Sequence, residues 1–255
     1  MVSSLGLLFV TAFAFQTPTV QTANGLRPPT RTAPADPTKS LTPEMRGDIF
    51  VARKFYRDAI EAYQEAPKDS PVIANKIGIA YHQLQEFDSA GKWYQRAIKL
   101  NPQYAEAINN LGTVYYAHKS YRRAISQYRR ALRLTPQSAS ILGNLGTAYF
   151  ARKDYKDAFA MYQEALELDP EVFERHSSFG VLLQDRSVDE RARYHYYMAK
   201  LYAKSGQTDL AIQYIRKSLE EGFKERTKFT TDPEFASLKD NADFKLLMST
   251  EQKVL

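Results

Sequence analysis

The chain has 255 residues, of which 44% are apolar, and carries 35 Lys and Arg against 29 Asp and Glu, a formal net charge of +6. That apolar content supports a sizeable core. The absence of cysteine removes disulfides, thiol catalysis and thiolate metal sites together.

Leu5 to Phe15 is an apolar run of eleven residues, too short to span a bilayer as a helix. Ala12-Phe13-Ala14 supplies the small-x-small pattern at which signal peptidase cuts, so residues 1–14 are expected to be an export signal. No Lys or Arg precedes the run, so the usual basic opening segment is absent. The competing expectation is an extra apolar helix lying against the domain that follows. A Thr/Pro-rich linker over residues 15–40, with Pro18, Pro28, Pro29, Pro34 and Pro37 and no helical period, favours export. No cysteine follows the run, which excludes a lipid anchor attached there. The expected location is the periplasm or the exterior, or the cytoplasm if the signal does not function. No later stretch is apolar enough for a transmembrane helix.

From there the chain repeats itself. Gly78, Gly112, Gly146 and Gly180 stand 34 residues apart, as do Ala90, Ala124 and Ala158. The same interval separates Tyr94, Tyr128 and Tyr162, then Ala97, Ala131 and Ala165, then Pro102, Pro136 and Pro170. Leu111-Gly112-x-x-Tyr115 recurs as Leu145-Gly146-x-x-Tyr149, with Ile77-Gly78-x-x-Tyr81 before it. Gly47, Phe50, Ala59, Tyr63 and Ala66 show the pattern once more, but 31 residues ahead of their counterparts. Three residues are therefore missing between Ala66 and Gly78, where Pro67 and Pro71 fall, and a shorter loop is expected there. Phe179-Gly180 opens a fifth unit whose second helix never comes into register. Ser187-Val188-Asp189-Glu190 instead reads as a capping box that starts a helix running to about Lys204. Ala199, Tyr202 and Ala211 then fit a looser sixth unit with a turn at Ser205-Gly206-Gln207.

The expected units are thus about 40–70, 71–104, 105–138 and 139–172, a broken unit over 173–191 and a degenerate one over 192–225. In the tail, Asp232-Pro233-Glu234-Phe235 and Asn241-Ala242-Asp243-Phe244 each read as a helix start followed by an inward aromatic. Leu238, Leu246 and Leu247 complete a short apolar face, so residues 226–255 are expected to be capping helices.

Leu-Gly-x-x-Tyr, then Ala-x-x-x-Tyr, then Pro at a 34-residue period resembles the tetratricopeptide repeat family, in its bacterial exported form. The segment from Phe223 to about Met248 resembles the tail that closes some bacterial members. The resemblance implies an all-α, right-handed solenoid of stacked antiparallel helix pairs, in which no helix buries its apolar stripe alone. Gly112 and Ala124 are small where helices approach closely, while Tyr115 and Tyr128 fill the space beside them. Pro136 marks the turn into the next unit because it cannot continue a helix interior.

The resemblance also implies a concave groove, lined by the first helix of each unit, that holds an extended peptide or partner helix. The residues it places there are Asn75, Ile79, His82, Asn109, Asn110, Thr113, Tyr116, Asn144, Thr147 and Phe150. Tyr115 and Tyr149 fall in the buried register, so Tyr116 and Phe150, one helical step further round, are expected to offer aromatic anchors beside small or hydrogen-bonding neighbours. One well-known groove reads a C-terminal carboxylate with lysines, arginine and asparagines. Asn110 and Asn144 match its asparagine place, but Glu44 and Asp48, Asn75 and Ile79, and Glu106 or Ser140 occupy the others. The clamp is absent, which disfavours a chaperone-adaptor role.

Catalytic patterns are missing. His82, His118, His176 and His195 are widely spaced, with no His-x-x-x-His arrangement, phosphate loop or Gly-x-Ser-x-Gly elbow. No enzyme, metal or cofactor is expected. Arg122, Arg123, Arg129, Arg130 and Arg133 concentrate on residues 121–134 with no acid among them. They form either a solvated face paired with acids such as Glu164 and Glu167, or a strip for an anionic surface. No base-stacking motif accompanies them, so nucleic acid is not expected. Two functions stand: a noncatalytic scaffold that binds a protein or peptide in its groove, or an envelope protein engaging an anionic glycan or membrane through the arginines.

Overall fold

The computed structural model describes residues 41–175 and 187–249. The expected export signal and linker, His176 and Phe179-Gly180 lie outside the described residues. Among those described, every regular element is helical. They are α1 (Pro43–Ala52), α2 (Tyr56–Gln64), α3 (Pro71–Gln83), α4 (Phe87–Leu100), α5 (Ala105–Ala117), α6 (Tyr121–Leu134), α7 (Ala139–Ala151), α8 (Tyr155–Leu168), α9 (Val172–Arg175), α10 (Val188–Lys204) and α11 (Thr208–Glu220). Helices α12 (Lys228–Thr231) and α13 (Ala242–Ser249) flank a 3-10 helix, Pro233–Leu238. The pairs α1/α2, α3/α4, α5/α6, α7/α8 and α10/α11 are hairpins, and α2, α4 and α6 each pack on the first helix that follows.

One turn closes every hairpin. Lys54, Gln85, Lys119, Lys153 and Gly206 adopt φ of 62°, 61°, 56°, 69° and 77°. The next N–H reaches back five residues, from Phe55 to the Phe50 carbonyl, Glu86 to Tyr81, Ser120 to Tyr115, Asp154 to Tyr149 and Gln207 to Tyr202, over 2.8–3.0 Å. This is the Schellman arrangement, and it satisfies carbonyls the first helix leaves open. Only Gly206 is the residue that this backbone favours; elsewhere the packed hairpin holds a lysine or glutamine in it.

The hairpins are locked by a glycine facing a tyrosine. A Cβ on Gly78 or Gly112 would stand 2.5 Å from the ring of Tyr94 or Tyr128, and one on Gly146 2.7 Å from Tyr162; Gly47 is closer still to Tyr63. All four tyrosines are buried. With Ala211 in the place of Ala158, the last hairpin puts Ala199 and Ile215 where Gly146 and Tyr162 stand, and both are buried. A methyl added on one side is matched there by a smaller side chain on the other.

Two expectations need correction. The missing residues after Ala66 shorten a helix rather than a loop: α2 ends at Gln64, one residue beyond Tyr63, whereas α4 runs six beyond Tyr94 to Leu100. Pro67 disfavours helical backbone at Ala66. The chain restarts at Ser70, whose Oγ accepts from the Ile73 N–H at 3.2 Å and whose neighbour Pro71 opens α3. In the tail, Leu246 is 64% exposed, while Phe244 is buried and Leu247 and Met248 pack against the core. On α13 those three share one face at steps of three and four, and Leu246 falls outside it.

The capping box is present as read: Ser187 Oγ accepts from the Glu190 N–H, and the Glu190 carboxylate accepts from the Ser187 N–H. The tail packs on α10. Phe223 stacks on Tyr196 at 4.6 Å, Phe229 and Phe235 close round them, and Lys200 pairs with Asp232 at 3.0 Å and Glu234 at 3.2 Å.

Candidate binding face

On α5, Glu106, Asn109, Asn110, Thr113, Tyr116 and Ala117 recur at steps of three and four, so they share one face. Ala107, Ile108, Leu111, Gly112 and Val114 are the buried residues of that helix. The shared face is where neighbouring first helices meet. Asn110 Nδ2 donates to Asn75 Oδ1 at 3.0 Å, and Asn144 Nδ2 donates to Asn109 Oδ1 at 3.0 Å. Asn109 Nδ2 reaches Asn110 Oδ1 at 3.4 Å, so the amides of α3, α5 and α7 form one ladder. Asn75 is buried and also donates to Glu106 at 2.9 Å.

Polar contacts also join α3 to α1 and α10 to the tail. Lys76 Nζ on α3 donates to Glu44 at 2.7 Å and Asp48 at 2.8 Å on α1. Burial works against that charge, but the two carboxylates raise the Lys76 pKa above its ordinary value. On α10, Tyr196 and Lys200 hydrogen-bond Asp232, which ties the tail to that helix.

The remaining groove residues divide by burial. Ile79, His82, Thr113 and Tyr116 are half-buried. Thr113 Oγ1 donates to the Asn110 carbonyl at 2.7 Å, and the Tyr116 ring lies 5.3 Å from Tyr121. His82 meets Phe87 edge-on at 5.1 Å, and burial lowers its pKa below the ordinary value. Thr147 is buried; it donates to the Gly143 carbonyl at 2.9 Å and accepts from Tyr162. Phe150 is 2% exposed, enclosed by Tyr155, Tyr194 and Tyr197 at 5.1–6.1 Å, so it is core and offers no surface as an anchor. The rings around it come from α8 and α10, and α10 belongs to the irregular part of the chain, where register gives no neighbour.

Lys76 and Tyr104, whose Oη accepts from Asn75 at 3.4 Å, were not among the expected groove residues, and Glu44, Asp48 and Glu106 entered only as mismatches to the carboxylate clamp. The signal that joins the asparagines, and Glu44 to Lys76, is an offset of one repeat plus one residue. Asn75 to Asn110 and Asn109 to Asn144 span 35 positions, and Glu44 to Lys76 spans 32 across the shortened unit.

Family models of the tetratricopeptide repeat match residues 78–119, 109–172 and 192–221. These segments are tetratricopeptide repeats. The first hairpin, α1/α2, lies outside the matched residues yet keeps the same glycine–tyrosine contact. No curated protein matches the chain. Among solved structures, MamA 41-end from Desulfovibrio magneticus RS-1 is similar at 20% identity, covering 74% of this chain and 97% of that one, with a TM-score of 0.50. The MamA RS-1 ArsTM double mutant is similar at 20% identity over 74% of this chain and 96% of that one, also at 0.50. The second repeat domain of human RPAP3, solved with an HSP70 peptide, is 23% identical and covers 44% of this chain and 95% of that one at 0.41. At these identities the likeness is one of fold.

The second helices of the tetratricopeptide repeats carry the arginines. Arg123 donates to Tyr115 Oη at 2.9 Å with its guanidinium 4.0 Å over that ring, and Arg129 donates to Tyr149 Oη with its guanidinium 5.6 Å from that ring's centre. Arg130 donates to the Pro102 carbonyl at 2.9 Å, as Arg96 does to Lys68 one repeat earlier at 2.8 Å. Three of the five thus hold their own repeat, the repeat that follows or the loop before, and Arg122 and Arg133 are exposed. The expected pairing with Glu164 and Glu167 is replaced by these contacts. No helix among the described residues is long and apolar enough to cross a membrane.

Proposed function

We propose that this chain is a noncatalytic scaffold whose first helices α3, α5 and α7 hold an extended segment of a partner protein. The observation that carries the reading is the asparagine ladder. An amide side chain offers two N–H groups and two acceptor positions, and the contacts across the ladder occupy about half of them. Asn109, Asn110 and Asn144 are only half-buried, so the unused positions form a regular row along which a peptide backbone can be hydrogen-bonded. Tyr116 and Ala117 flank that row with an aromatic and a small residue. The apolar run before Ala12-Phe13-Ala14 supports export, which would put the scaffold outside the cytoplasm.

The arginine strip has less support, because Arg123, Arg129 and Arg130 are engaged within the fold. The two readings separate by salt. Capture of a partner through the ladder should change little with ionic strength, whereas an anionic surface held by arginines should be released steeply. The direct test is the variant Asn109→Ala with Asn144→Ala and Tyr116→Ala, checked for an intact helical signal. Undiminished partner capture by that folded variant contradicts the reading.

A further inference from the structure

The early end of α2 leaves a cleft of about 340 Å³ between the loop over residues 65–70, α3 and α4. In the regular repeats the last turns of the second helix press Ile98 or Leu132 inward against the core. After α2 the corresponding stretch, Pro67 to Asp69, leaves the helix and borders an open space with Trp93, behind which Ile73 and Ile77 of α3 are buried. Trp93 of α4 stands over them as a wall. The regular repeats that follow carry Gln127 and Met161 at this place, so the large ring belongs to the one repeat that faces the shortened helix.

The charged residues lining the cleft are Lys68 and Arg96, with no acid among the lining residues. Arg96 donates one N–H to the Lys68 carbonyl at 2.8 Å and lies 5.3 Å from the centre of the Trp93 ring. That bond fixes the guanidinium at the cleft and leaves most of its five N–H donors for another acceptor. The cleft shares none of its lining residues with the asparagine ladder.

We propose that this cleft binds a small carboxylic acid with an aromatic or branched aliphatic body. The body lies against Pro67 and Trp93, and the carboxylate meets Arg96 and Lys68. The volume falls within the range of small-molecule sites and fits a body of about ten heavy atoms. Two cations and no acid line a largely apolar space, a combination that favours an amphiphilic anion over a simple one.

Trp93 is the sole tryptophan of the chain, so its fluorescence reports the cleft directly. The full chain is titrated with 3-phenylpropionate, its neutral amide 3-phenylpropanamide, and acetate. The acid should give a saturable change with a Kd of about 1 mM, the amide should bind about tenfold more weakly, and acetate should give none. Arg96→Gln with Lys68→Gln should reduce the acid to the affinity of the amide, while the thermal midpoint of the native chain should rise with added acid. Equal response to acid and amide, no saturable change, or unchanged acid affinity in the folded double variant overturns the proposal. If the variant does not fold, the comparison of acid with amide on the native chain decides.

Discussion

Asn75 on α3 accepts a hydrogen bond from Asn110 on α5 at 3.0 Å, one repeat and one residue further along the chain. The same offset joins Asn109 to Asn144. First helices in this stack are therefore keyed to each other by polar side chains, while second helices pack on the first helix that follows. A buried amide such as Asn75 is costly unless satisfied, and here α5 must be in place to satisfy it. The ladder thus selects a single stacking register.

The tail is tied to α10 through Asp232. Burial works against its charge, but hydrogen bonds from Tyr196 and Lys200 hold its carboxyl below the ordinary carboxylate value. A depressed folded-state pKa adds stability above the ordinary value, and that stability is lost as pH falls through the folded value. Asp232→Asn should therefore cost about 1–2 kcal/mol at neutral pH, and the gap between variant and native chain should close below about pH 4. Urea unfolding at neutral and acid pH checks this; a gap independent of pH would assign the effect to packing.

The glycine–tyrosine contact makes a prediction about compensation. Gly112→Ala places a methyl 2.5 Å from the Tyr128 ring and should destabilise the chain by about 1–3 kcal/mol. Tyr128→Ile alone leaves a cavity and should also be destabilising. Ala199 and Ile215 show that the two changes fit together. The double variant should be more stable than the sum of the single effects allows, by about 1 kcal/mol or more. Additive losses would mean that the hairpin relaxes round each change separately.

How far the sequence carries this picture depends on the period. Gly112, Ala124, Tyr128 and Ala131 declare their packing because each recurs at 34 residues, and the capping box at Ser187 declares itself by local chemistry. The ladder was legible in principle, since its offset is fixed by the register, but its partners lie in different repeats and no local pattern joins them. The burial of Phe150 was not legible. Its neighbours Tyr194 and Tyr197 come from beyond residues 173–191, where the period is lost. The early end of α2 was misjudged because a deletion in sequence does not say whether helix or loop gives way; Pro67 decides it.

Export is tested by mass. Intact-mass analysis of protein recovered from its native cell envelope should show a chain beginning after Ala14. A chain retaining Met1 to Ala14 in a cytoplasmic fraction would sink the export reading.

The scaffold reading stands or falls on which face meets the partner. A photoreactive residue is introduced in the living cell at Ala117, on the ladder face of α5, and in a second strain at Ser126, exposed on α6. Both sites lie outside the core, so both proteins should fold. Illumination should give a discrete crosslinked protein from position 117 and none from position 126, unchanged by added salt. Crosslinks from position 126 alone, lost as salt is raised, would contradict the account and favour the arginine-bearing helices as the working surface.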